Sequence, residues 1–171
     1  ARNGKGMPVF GSTGNSGAST WTNYPASYEG VIAVGSTTSS DFRSSFSNYG
    51  GSITLAAPGS AIQTTDITGA NGYSTTDYYS FSGTSAAAPV AASVAALALS
   101  ANPALTEVQI KQILAQSCEK VGGYSYSNST TATLSTWSSE LGYGRINMKN
   151  AVDAAMALLP VLPDVTVSAS S

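Results

Sequence analysis

The 171-residue chain is 42% hydrophobic, enough for the core of one ordinary domain, yet only 9% charged, against roughly 25% in a typical globular domain. Its net charge of −2 and scattered set of seven Lys and Arg argue against binding nucleic acid or an anionic membrane surface. There is no histidine, and the single cysteine, Cys118, excludes an intrachain disulfide. The low charge and Ser/Thr richness lean towards a secreted, bacterial-type protein.

The opening "ARNGKG" reads as the end of a helix. Arg2 and Lys5 suit a C-terminal turn, and Gly4 or Gly6 a left-handed position after it. A chain that opens this way is expected to be cut from something longer. No signal peptide is visible, and no uninterrupted apolar run reaches the length of about 18 residues that a membrane span needs.

Three short apolar runs follow: "MPVFGST" (7–13), "GVIAVGST" (30–37) and "SITLAAPG" (52–59). Their continuity predicts buried parallel strands covered on both faces. The polar stretches between and after them, 14–29, 38–51 and 60–82, are long loops of the kind that carry function on such a scaffold. From residue 84 the pattern turns helical, with Pro89 expected in the first turn. Alanine and valine cover every face of 86–99, which predicts a helix buried on all sides.

A second helix is expected over 102–118. Thr106 and Gln109 form its capping box, and Val108, Ile110, Ile113 and Leu114 its apolar stripe. Residues 121–141 read as a polar loop or hairpin. A third helix is capped near Asn147 and stopped by Pro160. The domain is thus 1–159, with 160–171 a tail or linker.

Two places carry chemistry. "SGTSAAAP" sets Ser85 at the start of a helix, where free N–H groups and the helix dipole favour the anion formed in acyl transfer. The commoner role for Thr84 or Ser85 there is an N-cap. Neither G-x-S-x-G nor S-x-x-K is present, and "GNSGAST" lacks the G-K-[ST] of a phosphate loop. Cys118 has no histidine to pair with, so it reads as a small buried hydrophobe. "VFGSTGNSG" ends an apolar strand in a loop, where parallel sheets place their ligands, and offers the Asn15 amide as an oxyanion donor or as a plain turn residue.

Strand, "TGNSG" and then "SGTSAAAP" resemble the subtilisin-like serine proteases. "NYPASYEGVIAVGST", "FSNYG", "LAAPGSAI" and "GYGRINMKNAV" match in order and spacing, so the resemblance covers residues 1 to about 158. The alanines after Ser85, and Val90 after Pro89, are closer to kexin-like or bacterial relatives. The resemblance implies an α/β fold, a parallel sheet flanked by helices, incomplete at the N-terminal side. It implies Ser85 as nucleophile and Asn15 as oxyanion donor beside the Ser85 N–H. Ser12, Thr13 and Gly14 would line one wall of the S1 pocket, with Asn23 at its floor and Pro25 in cis. The substrate would be a protein or peptide.

No cofactor is implied for the chemistry. A structural calcium is compatible with the family, whose weak cation site would fall on the carbonyls of Ala26, Tyr28 and Val31. Ser52 and Thr54 stand where some members place acidic residues. The family's triad runs Asp, His, Ser, so Asp and His would both precede residue 1. The expectation is the C-terminal half of a catalytic domain, inactive alone and needing a partner that supplies both. A pseudoprotease or interaction module that keeps the fold is the alternative, and a generic α/β binding domain a third reading.

Overall fold

A computed structural model describes residues 1–19, 23–128 and 133–159. The proposed tail, 160–171, lies outside these residues. Three parallel strands, β1 (Val9–Ser12), β2 (Val31–Thr37) and β3 (Leu55–Pro58), form a sheet in the order β1-β2-β3. Val9 pairs with Val31, and Val34 with Leu55. All of β2 is buried, as a central strand without alternation should be. The strand expected at 52–59 is shorter than its apolar run, because Gly50 to Thr54 are spent on the turn into it.

Helix α1 (Thr84–Ala101) packs across all three strands. Ala87, Ala91, Ala95 and Ala98 turn one stripe of methyls towards Ile32, Val34, Leu55 and Ala57. Side chains this small let the helix lie close to the sheet, and each buried Leu or Ile beneath it contributes about 1.5–3 kcal/mol. The helix is nonetheless not buried on all sides. Ser85, Pro89, Ser93 and Leu97 form an exposed stripe at a spacing of four residues, although nothing along α1 is charged. Pro89 sits inside the helix rather than in its first turn. Its missing N–H leaves the Ser85 carbonyl without the usual partner four residues on.

Helix α2 (Glu107–Ser117) begins later than its pattern suggested, since Asn102 to Leu105 form a turn. The capping box is present: Gln109 N–H donates to Thr106 Oγ1 at 3.3 Å and Thr106 N–H to Gln109 Oε1 at 2.8 Å. Ile110, Ile113 and Leu114 are buried, whereas Val108 is 62% exposed and outside the stripe. Helix α3 (Met148–Ala157) is capped by Asn147, whose Oδ1 accepts from Asn150 N–H at 2.9 Å.

One local expectation holds in part and another changes. Arg2 opens a short 3-10 turn, Arg2–Gly4, with Lys5 just after it, and both Gly4 and Gly6 take left-handed φ values, +86° and +75°. Arg2 and Lys5 donate to the Pro103 carbonyl ahead of α2, at 3.2 and 3.0 Å. Within the supposed loop 60–82 lies an antiparallel hairpin, β4 (Ile62–Thr65) with β5 (Tyr78–Phe81). Its residues are largely exposed, which is why no buried-strand signal marked it.

Candidate active site

Ser85 is the second residue of α1 and is exposed. Neither it nor Thr84 is the N-cap: Gly83 is, and it has no side chain to offer. The cap comes from the loop after β1 instead. Asn15 Oδ1 accepts from the Thr84 N–H at 2.9 Å and from the Thr84 hydroxyl at 2.8 Å. The same hydroxyl accepts from the Gly14 N–H at 3.2 Å. Thr84, wholly buried, thus clamps the Asn15 loop to the helix start.

This clamp fixes which way the Asn15 amide faces. With Oδ1 held by two donors, Nδ2 points the other way. A side chain built on Gly83 would lie 3.4 Å from Asn15 Nδ2 and 3.7 Å from the Ser85 backbone nitrogen. Both donors therefore border the one space that Gly83 leaves empty. The Ser85 N–H, in the first turn, has no intrahelical acceptor. Two convergent N–H donors beside a hydroxyl at a helix N-terminus are what a tetrahedral oxyanion needs.

The other expected residues are placed as follows. Ser12 and Gly14 are half-buried at the end of β1. Thr13 is fully buried and its hydroxyl donates to the Asn48 carbonyl at 3.1 Å, so only its backbone can border a cleft. Gly14 has φ +99°, and a Cβ there would come within 2.6 Å of the Asn48 amide and into the Asn23 amide. Asn23 is exposed and borders Gly14. The structure thus brings Asn23 to the same loop as Asn15. The Tyr24–Pro25 bond is cis.

A groove of about 350 Å3 runs from Ser85 along Pro89, Val90 and Ser93, with Ile62, Thr64 and Phe81 of the hairpin opposite. No titratable side chain lines it, so nothing among the described residues acts as a base for Ser85. The displaced pKa values lie elsewhere, in 118–145. Burial pushes the Cys118 thiol up to about 12, which keeps it protonated and inert.

A larger cavity, about 440 Å3, lies beside the turn that follows Asn23, between Ala26–Glu29, Ile53, Trp137 and Tyr143. It includes the residues expected to bind a cation. The Tyr28 carbonyl already accepts from Val31 N–H at 2.9 Å. The Lys111 ammonium donates to the neighbouring Glu29 carbonyl at 2.8 Å. No cluster of three or more His, Cys, Asp or Glu occurs among the described residues. The Tyr28 carbonyl has two lone pairs and spends one on Val31, so its oxygen can still serve a structural cation at this turn.

Sequence reasoning missed Thr84 and Asn48. Its position marks Thr84 only as a cap, although it stands next to Ser85. Asn48 stood in the quoted "FSNYG" with no role assigned.

The chain belongs to the Subtilase family, a serine-protease family whose pattern matches residues 1–144. It is 35% identical over 179 residues to a calcium-dependent protease of Trichormus variabilis, covering 93% of this chain and 26% of that protein. It is 39% identical over 118 residues to Subtilisin BL of Lederbergia lenta, covering 69% of this chain and 41% of that protein. The chain thus spans well under half the length of these curated relatives. Among solved structures, the prenylagaramide maturation protease PagA superposes with a TM-score of 0.65 at 23% identity, covering 87% of this chain and 50% of that one. The fold is accordingly α/β and subtilisin-like.

Proposed function

We infer that this chain is the nucleophile-bearing part of a secreted serine endopeptidase, with Asp and His supplied from outside these 171 residues. The observation that carries this reading is the lock on Asn15: Thr84 holds its Oδ1, and its Nδ2 shares an open space with the Ser85 N–H. In the reaction, Ser85 Oγ attacks the carbonyl carbon of a peptide bond while the histidine takes the hydroxyl proton. The carbonyl oxygen becomes an anion held by Asn15 Nδ2–H and the Ser85 N–H. Collapse breaks the C–N bond, the histidine gives its proton to the leaving amine, and water hydrolyses the acyl-enzyme by the same route. Ser12, Gly14 and Asn23 border the space for the residue before the scissile bond. No cofactor takes part in these steps.

Alone, the chain is inactive, because no base lines the groove beside Ser85. The completing part occupies that groove and the uncharged exposed stripe of α1, where Leu97 is 45% exposed. A charge-free helix face and the exposed hairpin residues Tyr78 and Phe81 fit a protein partner, not solvent.

A fluorophosphonate probe tests the reading. The isolated chain is expected not to label, and Ser85 to label once the Asp- and His-bearing part is added. Labelling must vanish in Ser85→Ala. If Ser85 never labels in the complete protein, the chain is a pseudoprotease or interaction module with a protease fold.

A further inference from the structure

Asn48 is 0% exposed and lies in no helix or strand. Every polar group it has is turned to the loop that carries Asn15. Its Nδ2 donates to the Thr13 carbonyl at 2.9 Å. Its Oδ1 accepts from the Ser16 and Ala18 N–H groups, each at 3.0 Å. Its own N–H donates to the Gly14 carbonyl at 2.9 Å, and its carbonyl accepts from the Thr13 hydroxyl at 3.1 Å. The bonds fall on both sides of Asn15, on Thr13 and Gly14 before it and on Ser16 and Ala18 after it.

We propose that Asn48 is a positioning residue for the oxyanion hole, holding the backbone of residues 13–18 so that Asn15 Nδ2 stays aligned with the Ser85 N–H. The proposal rests on the protease reading above. Past the Thr13 N–H, which still donates to the Val34 carbonyl of β2, the loop backbone has no ladder, so each N–H and C=O in 14–18 needs a partner from elsewhere. A buried carboxamide supplies a donor and an acceptor at once. Aspartate lacks the donor, and leucine lacks both.

The link to catalysis is geometric. Thr84 fixes the Asn15 carboxamide oxygen and the Gly14 N–H just before it, whereas the position of the Asn15 Cα also follows the backbone after it, at Ser16 to Ala18. Oxyanion donors act at about 2.7–3.1 Å from the developing charge, and a displacement of about 1 Å costs about 10²-fold in rate. Gly14 fits the same picture: its φ is +99°, and a Cβ there would press on both the Asn23 and the Asn48 amides.

The test uses the complete protease with its Asp- and His-bearing part. Asn48→Ala is expected to lower kcat by about 10²-fold while KM stays within about threefold, since the interaction lost is one made in the transition state. In an Asn15→Ala background the same change should cost less than about threefold, because the donor it positions is gone. Full multiplication of the two effects, or a loss carried by KM, would overturn the proposal. A second readout does not depend on activity. Amide hydrogen exchange at Ser16 and Ala18 should accelerate in the Asn48 variant while Ile32 and Val34 in β2 stay protected. Unchanged exchange at Ser16 and Ala18 would also overturn it. Where the alanine variant does not fold, Asn48→Asp keeps the volume and the acceptor and removes the donor to Thr13. A wild-type protein that neither turns over peptide nor labels at Ser85 refutes the protease reading instead, and the exchange measurement still decides whether Asn48 holds the loop.

Discussion

Replacing Thr84 by valine tests the clamp that joins the two halves of the site. The change keeps the shape of the side chain and removes one hydroxyl. That hydroxyl donates to Asn15 Oδ1 at 2.8 Å and accepts from the Gly14 N–H at 3.2 Å in a fully buried position. Asn15 Oδ1 keeps a second donor, the Thr84 N–H at 2.9 Å, so its loss is modest. The Gly14 N–H has no such reserve, and stranding this half-buried donor costs about 1–2 kcal/mol, the lower part of the range for a buried one. The new methyl recovers at most about 0.8 kcal/mol. The net expectation is a protein about 1–2 kcal/mol less stable, read as a lower midpoint in urea denaturation at unchanged slope. Thr84→Ser keeps the bonds and loses only a methyl, at about 0.8 kcal/mol before any cavity term. A Thr84→Val midpoint equal to wild type would refute the clamp. In the complete enzyme the same variant should lose less rate than deleting Asn15 outright, a change whose cost of about 10²–10³-fold is known from subtilisin itself as the reference case.

Three further outcomes are expected. Gly83→Ala should fold normally, since its φ of 165° suits any residue, yet the new methyl sits 3.4 Å from Asn15 Nδ2 and crowds the oxyanion space; steady-state kinetics of the complete enzyme should show kcat reduced with the melting temperature unchanged. Cys118, buried with its thiol pushed up to about 12, should resist iodoacetamide at neutral pH until the chain is unfolded, as mass spectrometry would record. The Glu119 carboxyl is held below its usual range, first by the Asn147 amide and then by Arg145. A pKa lowered by folding adds stability above the unfolded value and loses it as pH falls through the folded one. The melting temperature should therefore drop on acidification below about pH 4.3, the ordinary glutamate value, and Glu119→Gln should flatten that part of the curve.

What was legible in the sequence was whatever a continuous pattern or a local rule encodes. The apolar run Val31–Val34 gave the central strand, and Thr106 with Gln109 gave the capping box, because both signals are complete within a few residues. The hairpin Ile62–Phe81 was missed because its residues face solvent and carry no burial pattern. Thr84 and Asn48 were missed for another reason. Their roles lie in bonds across 70 and 35 residues of chain, to Gly14 and Thr13, and no local rule encodes a partner that distant. Ser85 and Asn15 stood out only because two motifs occurred together in the right order.

The error over α1 bears on function most directly. Its composition required burial on every side, and the structure leaves one stripe open, from Ser85 through Pro89 and Ser93 to Leu97. Composition and exposure disagree along the helix face that begins at Ser85. An element that covered Leu97 and the groove beside Pro89 would remove apolar surface from water, and its near end would stand at Ser85 Oγ. Completing the core and delivering the base would then be one event. On this reading the oxyanion hole is already built within the chain, by Thr84 and Asn48 acting on the Asn15 loop, while activation of Ser85 is withheld until the apolar face is covered. Such an arrangement separates the two halves of serine-protease chemistry physically: rigid donors that need no partner, and a base that arrives with one.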